Sequence, residues 1–192
     1  MNKRLTPALL KGTLLASVVL VGMKAWAASN EANPRSDLAT ISSLDLPRYL
    51  GEWYEIAKFP NRFQRKCAGF TRATYTALPD GRVQVENRCR LADGGTDVAI
   101  GVARQIGDAT SPRLKVRFAP ALLSFIPMVW GDYWIIDLDR DYGLAAVSEP
   151  GRDYLWILSR TPTVSKPAYD ALVARLAGQG LDVRKLVRTP QE

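Results

Sequence analysis

Beyond an irregular opening segment, the chain is a succession of short runs in which apolar and polar residues alternate, each ended by turn-forming residues. Alternation of period two sets one face of a strand against a core and the other toward solvent. On this basis strands are expected over Glu52–Phe59, Phe70–Ala77, Val83–Arg90 and Val98–Gln105. Four more are expected over Arg113–Phe118, Asp132–Leu138, Leu144–Ser148 and Tyr154–Arg160. Pro79-Asp80-Gly81 supplies a tight turn between the second and third, so these form a hairpin. Short strands separated mostly by short turns specify an all-β sandwich or barrel. Only one helix is expected. Ser165 can cap it, Pro167 fits its first turn, and Gly178 or Gly180 can end it. Its stripe of Ala168, Tyr169, Leu172, Val173 and Leu176 must dock, and the outer wall of a barrel would receive it. A last short strand, Val183–Val187, is expected at an edge.

The opening segment differs in kind. Lys3 and Arg4 precede an apolar run from Leu14 to Gly22, and Ala25-Trp26-Ala27 has the form of a cleavage site. Residues 1–27 therefore read as a secretory signal. Residues 28–43, polar and aperiodic, read as a flexible leader, and 44–192 as one folded domain. The apolar run is too short to anchor the chain across a bilayer. No cysteine stands near the cleavage site to carry a lipid. The expected product is exported, periplasmic or peripheral at the outer membrane, and not lipid-anchored. The net charge of +7 belongs largely to the signal: without Lys3, Arg4, Lys11 and Lys24, the 26 basic residues become 22 against 19 acidic, a net +3. These charges are interspersed, so no nucleic-acid stripe is present.

Histidine is absent from the sequence. That removes Ser-His-Asp and Cys-His nucleophilic mechanisms, His-ligated haem and His-containing zinc sites. Two cysteines, Cys67 and Cys89, remain. Export favours their oxidation to a disulfide over two free thiols. Hairpin counting sets Cys89 opposite a residue near Arg72, several positions from Cys67. A bridge therefore requires the chain before residue 70 to fold back, because the Cα atoms must come within about 7 Å.

Three segments carry a resemblance. Gly51-Glu52-Trp53-Tyr54 opens the first strand. Gly131 to Asp139, with Arg140-Asp141-Tyr142 after it, forms a strand and turn. Tyr154-Leu155-Trp156-Ile157-Leu158-Ser159-Arg160 ends in an arginine before Thr161-Pro162. In this order, and with this strand count, they resemble the signature regions of the lipocalin family, especially the bacterial outer-membrane and apolipoprotein D-like lipocalins. The similarity runs from about Leu44 to Val187. It implies an eight-stranded antiparallel up-and-down β-barrel with one C-terminal α-helix packed on the outside. It further implies closure at one end by Arg160 across Trp53, with Gly51 structural beside them, and a small hydrophobic ligand inside: a fatty acid, lysophospholipid or related membrane lipid.

If Trp53 points inward, alternation points Ala57 inward as well. Tyr75, Val85, Val102, Val116, Phe118, Tyr133 and Trp156 complete the candidate ligand-binding set. No catalytic residue, cofactor or metal is expected. Between two strands, Ala119 to Trp130 reads APALLSFIPMVW, an apolar connection. Ala121 to Trp130 is the candidate for peripheral membrane contact or a homodimer interface. Two other functions fit the same scaffold: a lipid-modifying enzyme using Cys67 or Cys89 as nucleophile, and an envelope interaction protein without a ligand.

Overall fold

A computed structural model of the chain describes residues 38–191. The expected signal, and the expected leader as far as residue 37, lie outside the described residues. The elements are α1 (Leu46–Tyr49), β1 (Gly51–Lys58), β2 (Cys67–Ala77), β3 (Val83–Leu91), β4 (Thr96–Gln105), β5 (Arg113–Arg117), β6 (Gly131–Leu138), β7 (Leu144–Ser148), β8 (Leu155–Ser159), α2 (Lys166–Gly178) and β9 (Val187–Arg188). From β2 to β8 each strand pairs antiparallel with the next. Strand β1 pairs with both β8 and β2, which closes eight strands into a barrel. Strands β1 and β2 pair only over residues 51–54 and 72–75, so the ring closes in its lower part, where β1 begins.

The up-and-down order gives the barrel two unlike ends. At the lower end lie α1 and the turns at 78–82, 106–112 and 139–143; the segments 59–66, 92–95, 118–130 and 149–154 gather at the upper end. Asp45 caps α1 by accepting from the Arg48 N–H, and its own N–H donates to the Tyr142 hydroxyl at 2.9 Å. This four-residue helix is too short to show a periodicity, and the sequence reading missed it.

Two apolar clusters follow from the alternation. One fills the barrel with Trp53, Tyr75, Val85, Ala103, Leu114, Ile135, Val147 and Leu158. The other lies between the outer wall and α2, where Leu172 and Leu176 pack on Ile56, Ile136, Ala146 and Ile157. Ser165 caps α2 by accepting from the Ala168 N–H, Pro167 stands in its first turn, and Arg175 pairs with Asp137 of β6 at 2.7 Å.

Two expectations need correction. The leader was expected to extend through Ser43, yet Leu38 is only 1% exposed within the helix-side cluster. The Ile41 N–H also bonds to the Ile135 carbonyl, so this stretch is held by contacts distant in sequence. The last strand was expected over Val183–Val187; instead Val183–Lys185 forms a 3₁₀ turn, and only Val187 and Arg188 pair with β1.

Candidate ligand-binding site

The floor is built from β1, α1 and the residue after β8. Gly51 has φ +94, a conformation that a side chain disfavours, and a Cβ there would stand 3.3 Å from Arg160 Nη1. Trp53 follows at 0% exposure, its indole N–H donating to the Tyr49 carbonyl at 2.8 Å. The Arg160 guanidinium lies 3.9 Å from the Trp53 ring centroid. It donates to the carbonyls of Arg48, Leu50 and Glu52, each at 2.8 Å. Burial pulls the Arg160 pKa below the usual guanidinium range. The cation therefore meets a ring face and three carbonyls, which replace part of its hydration.

Above this floor three phenols meet. Tyr133 Oη lies 2.8 Å from Tyr49 Oη and 2.8 Å from Tyr75 Oη, while the Tyr49 and Tyr75 rings stack at 5.7 Å. Burial pushes the Tyr75 phenol up to about 12, with the Tyr133 hydrogen bond opposing the shift. Burial likewise raises Tyr49 and Tyr133 well above the ordinary range. All three are neutral near pH 7 and share two hydrogen bonds centred on Tyr133. Beside them Leu46, Val83, Val85, Leu114 and Val116 line a cavity of about 20 Å³. That is room for about one water.

The upper interior is set by a bulge in β1. Glu55 pairs with Leu158 and Ala57 with Ile157, so Ile56 is the extra residue. Ile56 and Ala57 both pack in the helix-side cluster. Ala57 thus faces away from the barrel interior, against the expectation from simple alternation. Lys58, opposite the inward Trp156, turns inward instead. The result is an ion pair inside the mouth: Lys58 Nζ stands 2.8 Å from Glu55 Oε1, with Glu55 only 3% exposed. Glu55 also accepts from Thr189 Oγ1 at 2.6 Å and from Gln64 Nε2. Trp156 donates its indole N–H to Gln64 Oε1 at 3.0 Å and stacks on Tyr154 at 5.8 Å. A buried ion pair gives little net stability, because desolvation offsets attraction. Its place at the mouth is better explained by what it can meet there.

Of the remaining expected residues, Tyr75, Val85, Val116, Tyr133 and Trp156 belong to or pack against the interior cluster. Phe118 lies at the rim, 44% exposed, its ring against Gly101, where a Cβ would come within 2.7 Å of it. Val102 does not join them. It pairs with Arg117 and is out of phase with the inward Ala103, which sets it on the outer wall. The sequence reading missed Tyr49, Glu55, Lys58 and Gln64. Counting two residues on from Trp53 would have found Glu55; Lys58 depends on a bulge with no local signal.

Cys67 and Cys89 are bridged, their Cα atoms 5.6 Å apart. Register shifts in β2 between Cys67 and Gly69, and between Gly69 and Arg72, bring Cys67 within reach. The Ala119 to Trp130 connection does not fold into the barrel: Leu122, Phe125 and Met128 are 82%, 77% and 92% exposed. Trp130 anchors its end, lying over Arg104 at 4.5 Å and Arg117 at 5.2 Å, and donating to the Ser124 carbonyl.

A lipocalin-like domain model matches residues 44–191. The chain belongs to the lipocalin family. It is 42% identical over 159 residues to temperature-induced lipocalin-1 of Arabidopsis thaliana, covering 82% of this chain and 84% of that protein. It is 39% identical over 165 residues to the outer membrane lipoprotein Blc of Escherichia coli K12, covering 85% and 89%. Among solved structures, insecticyanin from the tobacco hornworm Manduca sexta superposes with a TM-score of 0.62 at 19% identity, covering 80% and 84%, a likeness of fold. Lipocalins generally bind small hydrophobic molecules, and this lipocalin presents an apolar, aromatic interior with the Glu55–Lys58 ion pair toward its open end.

Proposed function

We propose that this lipocalin binds and carries a single-chain membrane lipid, a fatty acid or lysophospholipid, in the cell envelope. The observation that carries the reading is the inward Glu55–Lys58 pair above an otherwise apolar barrel. An alkyl chain gains about 0.8 kcal/mol per buried methylene. Lys58 can orient a carboxylate or phosphate, and Glu55 an ammonium. The chain enters past Phe118 and Trp156 and stops at the tyrosine layer, where the 20 Å³ cavity leaves no space without side-chain movement. Ligand entry is therefore coupled to rearrangement of Val116, Tyr75 or Phe118. The disulfide removes the thiol that a nucleophilic mechanism would need, which favours binding over catalysis.

Placement in the envelope rests on the signal-like opening and on the similarity to the outer membrane lipoprotein Blc. The exposed Ala121 to Trp130 connection supports peripheral contact with a membrane through its apolar side chains.

Tryptophan-fluorescence titration with a long-chain fatty acid and a lysophospholipid tests the binding reading. A saturable change at one ligand per chain, lost in Trp156→Phe, is expected. An unchanged spectrum with both lipids would overturn it. The small cavity favours a second reading, a filled barrel serving as an interaction protein through the same connection. That reading predicts a stable dimer and no lipid response.

A further inference from the structure

On the outer wall, just below the rim, β2, β3 and β4 form a groove of about 200 Å³ that the ligand site does not use. Arg72, Arg88 and Arg90 line it, with Phe70, Gly94 and Thr96. Arg72 and Arg88 are direct cross-strand partners, and Arg90 follows Arg88 at the next outward position of β3. Like charges directly opposite on neighbouring strands destabilise a sheet. Glu52 reaches Arg72 at 3.4 Å and Glu86 reaches Arg88 at 2.7 Å, both from the lower side. Neither carboxylate lines the groove. Arg72 Nε is shielded from solvent and has no hydrogen-bond partner. The upper end is shaped by backbone that a plain strand would not adopt. Phe70 has φ +52 within the register shift of β2, and its ring carries the Arg90 guanidinium at 4.3 Å. A bulge of this kind re-aims side chains.

We propose that this groove is an anion site that takes a phosphoryl group, bound by Arg72, Arg88 and Arg90. A tetrahedral dianion suits it because guanidinium N–H donors bind phosphate oxygens in parallel pairs and the anion relieves the cross-strand repulsion. The volume admits a phosphate with part of its substituent. The chemistry is shared by free phosphate esters and by phospholipid headgroups.

The test uses the folded chain at low ionic strength, with two probes. One is inorganic phosphate, followed by NMR of the arginine Nε–H resonances. The other is sedimentation with vesicles of phosphatidylcholine containing phosphatidylglycerol, against phosphatidylcholine alone. Saturable shifts of Arg72, Arg88 and Arg90 with phosphate would support a site sufficient for the free ion. Vesicle binding that needs phosphatidylglycerol, without a phosphate response, would support a headgroup site. In either case Arg88→Gln weakens binding about tenfold or more, the loss expected for charge-assisted hydrogen bonds. The variant keeps its fatty-acid titration, because Arg88 lies on the outer wall away from the barrel interior. The proposal is overturned if neither probe binds, if Arg88→Gln binds as the parent does, or if Arg184→Gln, remote on the surface, loses as much. Failure of the barrel to take lipid would leave these arms unaffected, so the two readings fail separately.

Discussion

At the scale of single residues, the barrel is held by groups whose partners are fixed by burial. Tyr49, Tyr75 and Tyr133 share hydrogen bonds in an apolar layer, and each phenol is raised above its ordinary range by desolvation. A raised folded-state pKa favours the neutral form. The contribution is thus present in full below the unfolded value of about 10 and is lost as pH rises through the folded values, about 12 for Tyr75. An alkaline titration followed by phenolate absorbance should show three of the seven tyrosines ionising late and together with loss of the fold. Seven tyrosines ionising together in a still-folded chain would contradict the layer. These residues also mark what a sequence can disclose. Trp53 and Arg160 stand out because they lie within segments that resemble family signatures. Ala57 and Lys58 exchange faces because Ile56 is an extra residue in β1 opposite β8. A bulge is a property of the pair of strands, and neither strand announces it alone.

At the scale of elements, β1 is the most burdened strand. Its lower half pairs with β2, its upper half with β9, and its other edge with β8. Where β1 and β2 part, the C-terminal tail enters: the Phe70 N–H donates to Pro190, the Thr189 N–H to Ile56, and Gln191 Nε2 to the carbonyls of Glu55 and Thr71. Alternation and turn chemistry were enough to place the eight barrel strands and α2. They could not show α1, which is too short for a period, or the residues from Leu38 to Ser43, whose burial depends on contacts distant in sequence. The upper connection belongs to this scale too. With Leu122, Phe125 and Met128 exposed and Trp130 pinned over two arginines, it presents a fixed apolar surface at the mouth. Phe125→Asp should weaken sedimentation with phospholipid vesicles while leaving the chain monomeric by light scattering. If the parent chain is instead a dimer that Phe125→Asp dissociates, the surface serves self-association and the membrane reading fails.

The whole molecule joins three levels: a floor sealed by Trp53 and Arg160, a neutral tyrosine layer, and a mouth where Glu55 and Lys58 face inward among aromatic residues. Membership in the lipocalin family accounts for the architecture. The inward pair and the nearly filled lower chamber are what particularise this barrel, and under the proposed function they place a polar head at the rim and restrict how far an alkyl chain descends. Restricted depth favours ligands with one chain. On the proposed function, the interior holds such a lipid where the protein resides. Native mass spectrometry of the protein extracted from its own envelope addresses this most directly. A population shifted by the mass of one fatty acid or lysophospholipid per chain, lost when Lys58 and Glu55 are both replaced by alanine, is the result predicted. A single peak at the mass of the bare chain, under conditions that preserve added fatty acid complexes of other lipocalins, would contradict it.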